Sequence, residues 1–182
     1  MKSGKKRGVR KSYDALGGML YDVRYSNEQK LKYQEILQRV ELERFDMVLD
    51  NGCGTGLLLE RLKGQLVGLD FSPGLLISAY SRLKSRREAH LIQADSDHLP
   101  FRDKVFDKIF AITVMQNIPD PRLALEEIRR VSHELSEVTV TALKKTFTYN
   151  NFHKLIEVSG FHIKKIIKDE SLKDWIAFII HD

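Results

Sequence analysis

Apolar and polar positions along the chain follow two alternating periods. From residue 26 the spacing is helical. Ser26 followed by Gln29 has the capping-box interval, and Tyr33, Ile36, Leu37 and Val40 then fall on one face. From residue 47 onward, short apolar runs and helical stripes take turns. Met47–Asp50 predicts a buried strand ending in glycines, Leu57–Lys63 a helix, and Gln65–Asp70 a second strand. Ser72-Pro73 supplies an N-cap with proline at the first helical position, and Leu76, Tyr80 and Leu83 mark that helix's buried face. His90–Asp95 is a third strand. Phe106–Val114 is a fourth, central by its near-continuous apolar content. Asp120-Pro121 opens a helix with the stripe Leu125, Ile128 and Val131. Val138–Leu143 is a fifth strand, and Thr148–Ser159 a helix closed by Gly160. Phe161–Lys168 and Asp174–His181 are two strands joined by only a few residues, which predicts an antiparallel hairpin.

Strands alternating with helices predict an α/β fold, a doubly wound, mostly parallel sheet with helices on both faces and a C-terminal antiparallel hairpin. The 182 residues suit one domain, read as 26–182, after a basic tail and lid segment over 1–25. Charge refines the division. Lys2, Lys5, Lys6, Arg7, Arg10 and Lys11 stand without an acid among the first 11 residues, leaving 24 bases against 25 acids elsewhere. The net charge of +5 therefore belongs mainly to the tail, which suits contact with nucleic-acid phosphates or plain solubility. No apolar stretch is long enough to span a bilayer, and residues 12–18 do not continue as a secretory signal. One cysteine, Cys53, forms no internal disulfide, so a reducing, cytoplasmic setting is expected. No cysteine and histidine spacing suits a structural zinc site, so no metal is expected.

In a doubly wound sheet, ligands sit outside the carboxyl ends of the central strands. There the first strand ends as Asp50-Asn51-Gly52-Cys53-Gly54-Thr55-Gly56. Glycines at alternate positions allow a sharp turn and a close approach to a ligand. Asp70, 14 residues past Gly56 and at the next strand's end, is placed to bind both hydroxyls of a ribose. The pair predicts a nucleoside-containing cofactor. Glycine spacing G-x-G-x-G differs from the dinucleotide fingerprint, and a preceding Asp50 would repel a pyrophosphate but suit a sulfonium and an ammonium. Asp50 could equally cap the loop amides. Cys53 reads as a small apolar residue inside the loop.

Val48 to Gly56 resembles the first motif of class I S-adenosylmethionine-dependent methyltransferases, and Gly68 to Ser72 resembles their second. Ala94 to Phe101 followed by Phe106 to Ile109 is similar to their third segment and fourth strand, in the subgroup typified by ubiquinone-biosynthesis enzymes. The resemblance covers roughly residues 45–135. It implies a seven-stranded sheet with the last strand inserted antiparallel, and S-adenosylmethionine as cofactor. It also implies roles: Asp50, Gly52, Cys53, Gly54 and Gly56 in the cofactor loop and Asp70 at the ribose. Asp95 with Ser96 would serve the adenine, Phe71 would lie against it, and the backbone from Thr113 to Met115 would follow the methionine portion. Tyr21 and Arg24, in a segment that covers the cofactor in similar enzymes, are further contacts, although such tyrosines could simply cover a sheet edge.

The departures bear on the acceptor. A histidine pair frequent after the fourth strand is replaced by Met115-Gln116-Asn117-Ile118-Pro119-Asp120, the N/D-P-P-Y/F motif of exocyclic-amine methylation is missing, and no Pro-Cys nucleophile is present. Gln116 and Asn117 are the candidates for orienting a substrate by hydrogen bonds, against the plainer role of capping a loop-to-helix junction. Direct in-line transfer needs no general base when alignment and desolvation supply much of the rate. The tail, the basic stretch Lys164 to Lys168 and the lack of a large inserted domain favour RNA (tRNA or rRNA), with no DNA or membrane expected. Compact RNA methyltransferases resembling this chain sometimes use a small zinc-binding activator subunit. The alternatives are a small-molecule or protein methyltransferase, or a non-catalytic cofactor-binding subunit.

Overall fold

The computed structural model describes Gly8, Asp22 and residues 28–181. Ser26, Tyr21, Arg24 and the other basic-tail and lid residues read above lie outside them, apart from Asp22. Residues 28–37 form helix α1, with Tyr33 and Ile36 buried on the face the periodicity marks. Seven strands follow: β1 (Met47–Asn51), β2 (Gln65–Asp70), β3 (Ala89–Gln93), β4 (Phe106–Ala111), β5 (Ser132–Leu143), β6 (His162–Ile167) and β7 (Asp174–Ile180). Three further helices are α2 (Pro73–Leu83), α3 (Pro121–Val131) and α4 (Tyr149–Val158).

The strands form one sheet in the order β3-β2-β1-β4-β5-β7-β6. The first five pair in parallel, while β7 runs antiparallel between β5 and β6. This is the Rossmann-like α/β architecture of the sequence expectation, hairpin included. The chain passes from β1 outward through β2 to β3, then returns to place β4 on the other side of β1. That reversal opens a crevice at the carboxyl ends of β1 and β4. In-register neighbours divide the strands between two cores. Leu49 and Ile109 face α3 and α4, where they meet Ala124, Leu125, Ile128, Phe152 and Ile156. Val48 and Phe110 face the opposite side with Tyr33, Ile36, Leu59, Leu62 and Leu83.

Four local expectations are corrected. Leu57–Lys63 contains only a 3-10 turn, Leu59–Arg61. Seven helical residues would rise about 10 Å, whereas descending the height of a five-residue strand needs about 17 Å, so this stretch is pulled out. Its leucines Leu58, Leu59 and Leu62 are nevertheless buried. On α2 the buried stripe is Leu75, Ala79 and Leu83, and Tyr80 is 71% exposed. The Ser72 cap and the proline start hold, with Ser72 Oγ accepting from the Leu75 amide at 3.2 Å.

Strand β4 stops at Ala111 because Thr113 adopts φ +62°, which takes the backbone out of extended geometry. Strand β5 begins six residues earlier than the apolar run suggests. The polar stretch from Ser132 to Glu137 is held by specific bonds: Ser136 Oγ donates to the Phe106 carbonyl and Ser132 Oγ lies 2.7 Å from His181 Nε2. Its register against β4 shifts between Phe106 and Lys108, with Leu135 at φ +62°. Among the described residues no helix is long and apolar enough to cross a membrane.

Candidate functional site at the carboxyl ends of β1 and β4

The loop after β1 turns through Gly52, Gly54 and Gly56 at φ +89°, +55° and +78°, a region side chains rarely adopt. The amides of Gly52 and Cys53 both donate to the Leu69 carbonyl, at 2.7 and 2.9 Å, which ties the loop to the end of β2. Gly52 is needed for space as well as conformation. A β-carbon there would come 2.2 Å from Val114 Cγ2, at the end of the β4 segment. Gly52→Ala should therefore lower stability by roughly 2 kcal/mol or more, through positive-φ strain and backbone displacement. Chemical denaturation would measure it, and an unchanged midpoint would contradict the geometry.

Asp70 anchors the same loop from below. Its Oδ2 accepts from the Gly54 amide at 2.9 Å and its Oδ1 from the Ser72 amide at 2.8 Å. The loop amide is thus capped by Asp70 and not by Asp50. Asp50 is 2% exposed, and its Oδ2 has no hydrogen-bond partner. Burial, then repulsion from the Asp70 carboxylate, pushes its pKa up to about 8. An unpartnered buried carboxylate beside a second acid is a site made for a cation. The adjoining Asn51 is also buried, with neither amide atom partnered. Cys53 is buried too, and burial followed by the charges of Asp50 and Asp70 raises its thiol well above the usual range, so it stays neutral.

The adenine-side candidates follow β3. The Ala94 amide donates to the Asp70 carbonyl at 3.2 Å, which ties the chain just before Asp95 and Ser96 to the end of β2. Asp95 pairs with His98 in an isolated bridge, and Phe71 and Ser96 are both half-buried. On the loop's outer side, Thr55 Oγ1 donates to Asp22 Oδ1 at 2.6 Å. Asp22 also pairs with Arg82 of α2, whose Nε reaches the Thr55 carbonyl at 2.9 Å. Asp22 is therefore fastened to the glycine loop. Tyr21 and Arg24 fall outside the described residues.

On the β4 side, Thr113 is the hub. Its amide donates to Thr141 Oγ1 at 2.8 Å. Its carbonyl accepts from Gln116 Nε2 at 2.7 Å and from Asn117 Nδ2 at 3.3 Å. Both candidate substrate-orienting amides are thus tied to the junction, while Gln116 Oε1 is left buried and unpartnered. Met115 is fully buried, with its side chain in the core.

Three residues here are not among the site residues read from the sequence, where Gln29 stands as a capping-box partner. Lys32, 1% exposed, lies 2.5 Å from Asp174 Oδ2 and donates to Thr113 Oγ1 at 2.7 Å. Gln29 Nε2 reaches the same hydroxyl at 3.3 Å. Asp174, fully buried at the start of β7, has its pKa raised by burial against the opposing pull of Lys32. The signal existed: Gln29, Lys32, Tyr33 and Ile36 share a helical face, so two polar residues interrupt the apolar stripe of α1.

A family model described as a methyltransferase domain matches residues 49–137. An uncharacterized protein of Methanocaldococcus jannaschii is 35% identical over 127 residues, covering 69% of this chain and 48% of that protein. A malonyl-[acyl-carrier protein] O-methyltransferase of a Marinomonas species is 33% identical over 131 residues, with the same two coverages. The chain thus spans about half the length of these curated relatives. Among solved structures, the methyltransferase in a complex with the Haloferax volcanii activator Trm112 superposes with a TM-score of 0.80 at 17% identity, over 92% of this chain and 96% of that one.

Proposed function

We propose that this chain, a member of the class I, Rossmann-like family of S-adenosylmethionine-dependent methyltransferases, transfers that cofactor's methyl group in line onto an RNA nucleotide. The observation that carries the cofactor half is the buried Asp50 carboxylate without a partner, set against a glycine loop that Asp70 holds in place. The residues present fit the cofactor. Asp50 would take its cationic portion, and Asp70, which braces the Gly54 and Ser72 amides, would take the two ribose hydroxyls. Gly52, Cys53, Gly54 and Gly56 would line it, with Phe71 on the adenine face and Asp95 and Ser96 at its amino group and ring. The backbone from Thr113 to Met115 would follow the methionine portion, with Tyr21 and Arg24 covering it. When bound, the cofactor supplies a methyl group on a sulfonium, an electrophile that needs no further activation. The protein's own part is to align the acceptor through Gln116 and Asn117 and to exclude water.

RNA is supported by the basic tail. The stretch Lys164 to Lys168 gives less support, because Lys164 is 3.0 Å from Glu137 and Lys168 lies 3.9 Å over the Tyr149 ring. A small zinc-binding activator subunit is part of the proposal, supported by the fold neighbour solved with Trm112, and so is a cytoplasmic setting. The second reading is a small-molecule acceptor, favoured by the malonyl-[acyl-carrier protein] relative. A protein acceptor or a non-catalytic subunit would bind cofactor without labelling RNA. Incubation with methyl-labelled cofactor and total RNA separates these readings, with label in RNA expected. Deleting residues 1–11 should leave cofactor affinity unchanged and flatten the salt dependence of RNA binding by roughly 0.7–0.9 in log–log slope per base lost from the contact. An identical slope would remove the tail from RNA binding.

A further inference from the structure

Every backbone polar group of Thr113 and its hydroxyl oxygen are already engaged, and nearly all the groups that reach it are donors. Lys32 Nζ and Gln29 Nε2 point at Oγ1, while Gln116 Nε2 and Asn117 Nδ2 point at the carbonyl. Each of these amide nitrogens is turned toward Thr113, which leaves the amide oxygens facing elsewhere. Gln29 Oε1, Gln116 Oε1 and Asp174 Oδ1 are buried and unpartnered, three open acceptors against the one hydroxyl hydrogen of Thr113. Gln29 is 3% exposed and Asp174 fully buried, so these are not surface groups awaiting bulk water. Leaving each unfilled costs about 1–3 kcal/mol, which a donor-bearing ligand would recover. Thr113 and Gln116 are only half-buried, and that leaves an entry.

We propose that this cluster recognises the acceptor, and that the acceptor is a neutral –NH2 group, in RNA the exocyclic amine of a base. This rests on the RNA methyltransferase reading above. An –NH2 brings two hydrogens for the open oxygens of Gln29 and Gln116 and keeps a lone pair for the methyl carbon. A hydroxyl brings one hydrogen and would leave an oxygen orphaned. An ammonium has no lone pair, and Lys32 at the same hydroxyl repels it. On transfer the nitrogen lone pair forms the N–C bond as the C–S bond breaks and its electrons stay on sulfur. One of the two nitrogen hydrogens then leaves as a proton to water. The oxygens come from α1 and from the turn after β4, and so replace the missing N/D-P-P-Y/F motif with groups from elsewhere in the fold.

Binding of labelled poly(A), poly(C) and poly(U), measured by fluorescence anisotropy with the demethylated cofactor present, tests the assignment apart from catalysis. The first two carry exocyclic amines and the third does not. The full chain should bind poly(A) or poly(C) at least fivefold more tightly than poly(U). Combining Gln29→Met with Gln116→Met should bring that ratio to about one. Equal affinities in the unaltered protein, together with equal affinities for poly(G) and for poly(I), which lacks the guanine exocyclic amine, overturn the amine assignment while RNA binding stands. An undiminished ratio in the variant overturns the role of the two glutamines. Failure to bind any of the three overturns the RNA reading, and the amine proposal falls with it.

Discussion

Asp70→Ala is expected to weaken S-adenosylmethionine binding by about 2–3 kcal/mol, roughly 30- to 150-fold, because the lost acceptor is charged. The substitution also frees the Gly54 and Ser72 amides, which the carboxylate now holds at 2.9 and 2.8 Å. The loop would lose its brace as well as its ribose contact. Asp70→Asn should rescue little. An amide has one acceptor oxygen, so its NH2 would be forced against one of two backbone donors. Calorimetric titration of both variants decides the matter, and wild-type affinity in either would move the ribose site away from Asp70.

The second large effect concerns pH and Asp50. A pKa of about 8 in the folded protein, against an ordinary value of 3.8, means that stability falls as pH rises between the two. Below the lower value the group is protonated in both states and contributes nothing to the pH dependence. Asp50→Asn keeps the shape and removes the charge, so it should stabilise the unliganded protein by at least about 2 kcal/mol at pH 8.5, or roughly 4–8 °C. The gain should shrink steadily toward pH 4. Binding runs the other way. A cationic ligand favours the carboxylate, so near pH 7 binding should release close to one proton, and affinity should climb until about pH 8 and then level off. Titrations in two buffers of different ionisation enthalpy would count that proton. The asparagine variant should bind more weakly with no proton release. A wild-type protein that releases none would assign the cation to another group.

Sequence pattern revealed the strand and helix order because the apolar runs here are separated by strong punctuation. Ser72-Pro73 and Gly160 mark ends by local chemistry that no tertiary contact overrides. Leu57–Lys63 defeated the same logic, since its apolar spacing suits a helix while the crossover distance does not. The polar start of β5 was invisible because its side chains bond to Phe106 and His181, partners remote in sequence. At the site, the glycines and two acids were legible as a contiguous motif, but their division of labour was not. That Asp70 caps the loop and Asp50 is left unpartnered depends on which carboxylate can reach an amide. Lys32 and Asp174 stand 142 positions apart, and only the inserted β7 brings them together.

That insertion also sets an order of assembly. Strand β6 leaves the ribosome before β7, yet β7 is its only neighbour in the sheet, so β6 has no edge to join until the later strand arrives. Everything proposed to hold the cofactor, from Tyr21 to Met115, is made long before, and the strands β1 to β4 pair with one another in parallel. Asp174, the first residue of β7, is the final piece of the Thr113 cluster. A growing chain can thus form the glycine loop while the Thr113 cluster still lacks Asp174, and the closure by β7 comes last. The glycine loop and the finished cluster around Thr113 are thus separated in time during synthesis.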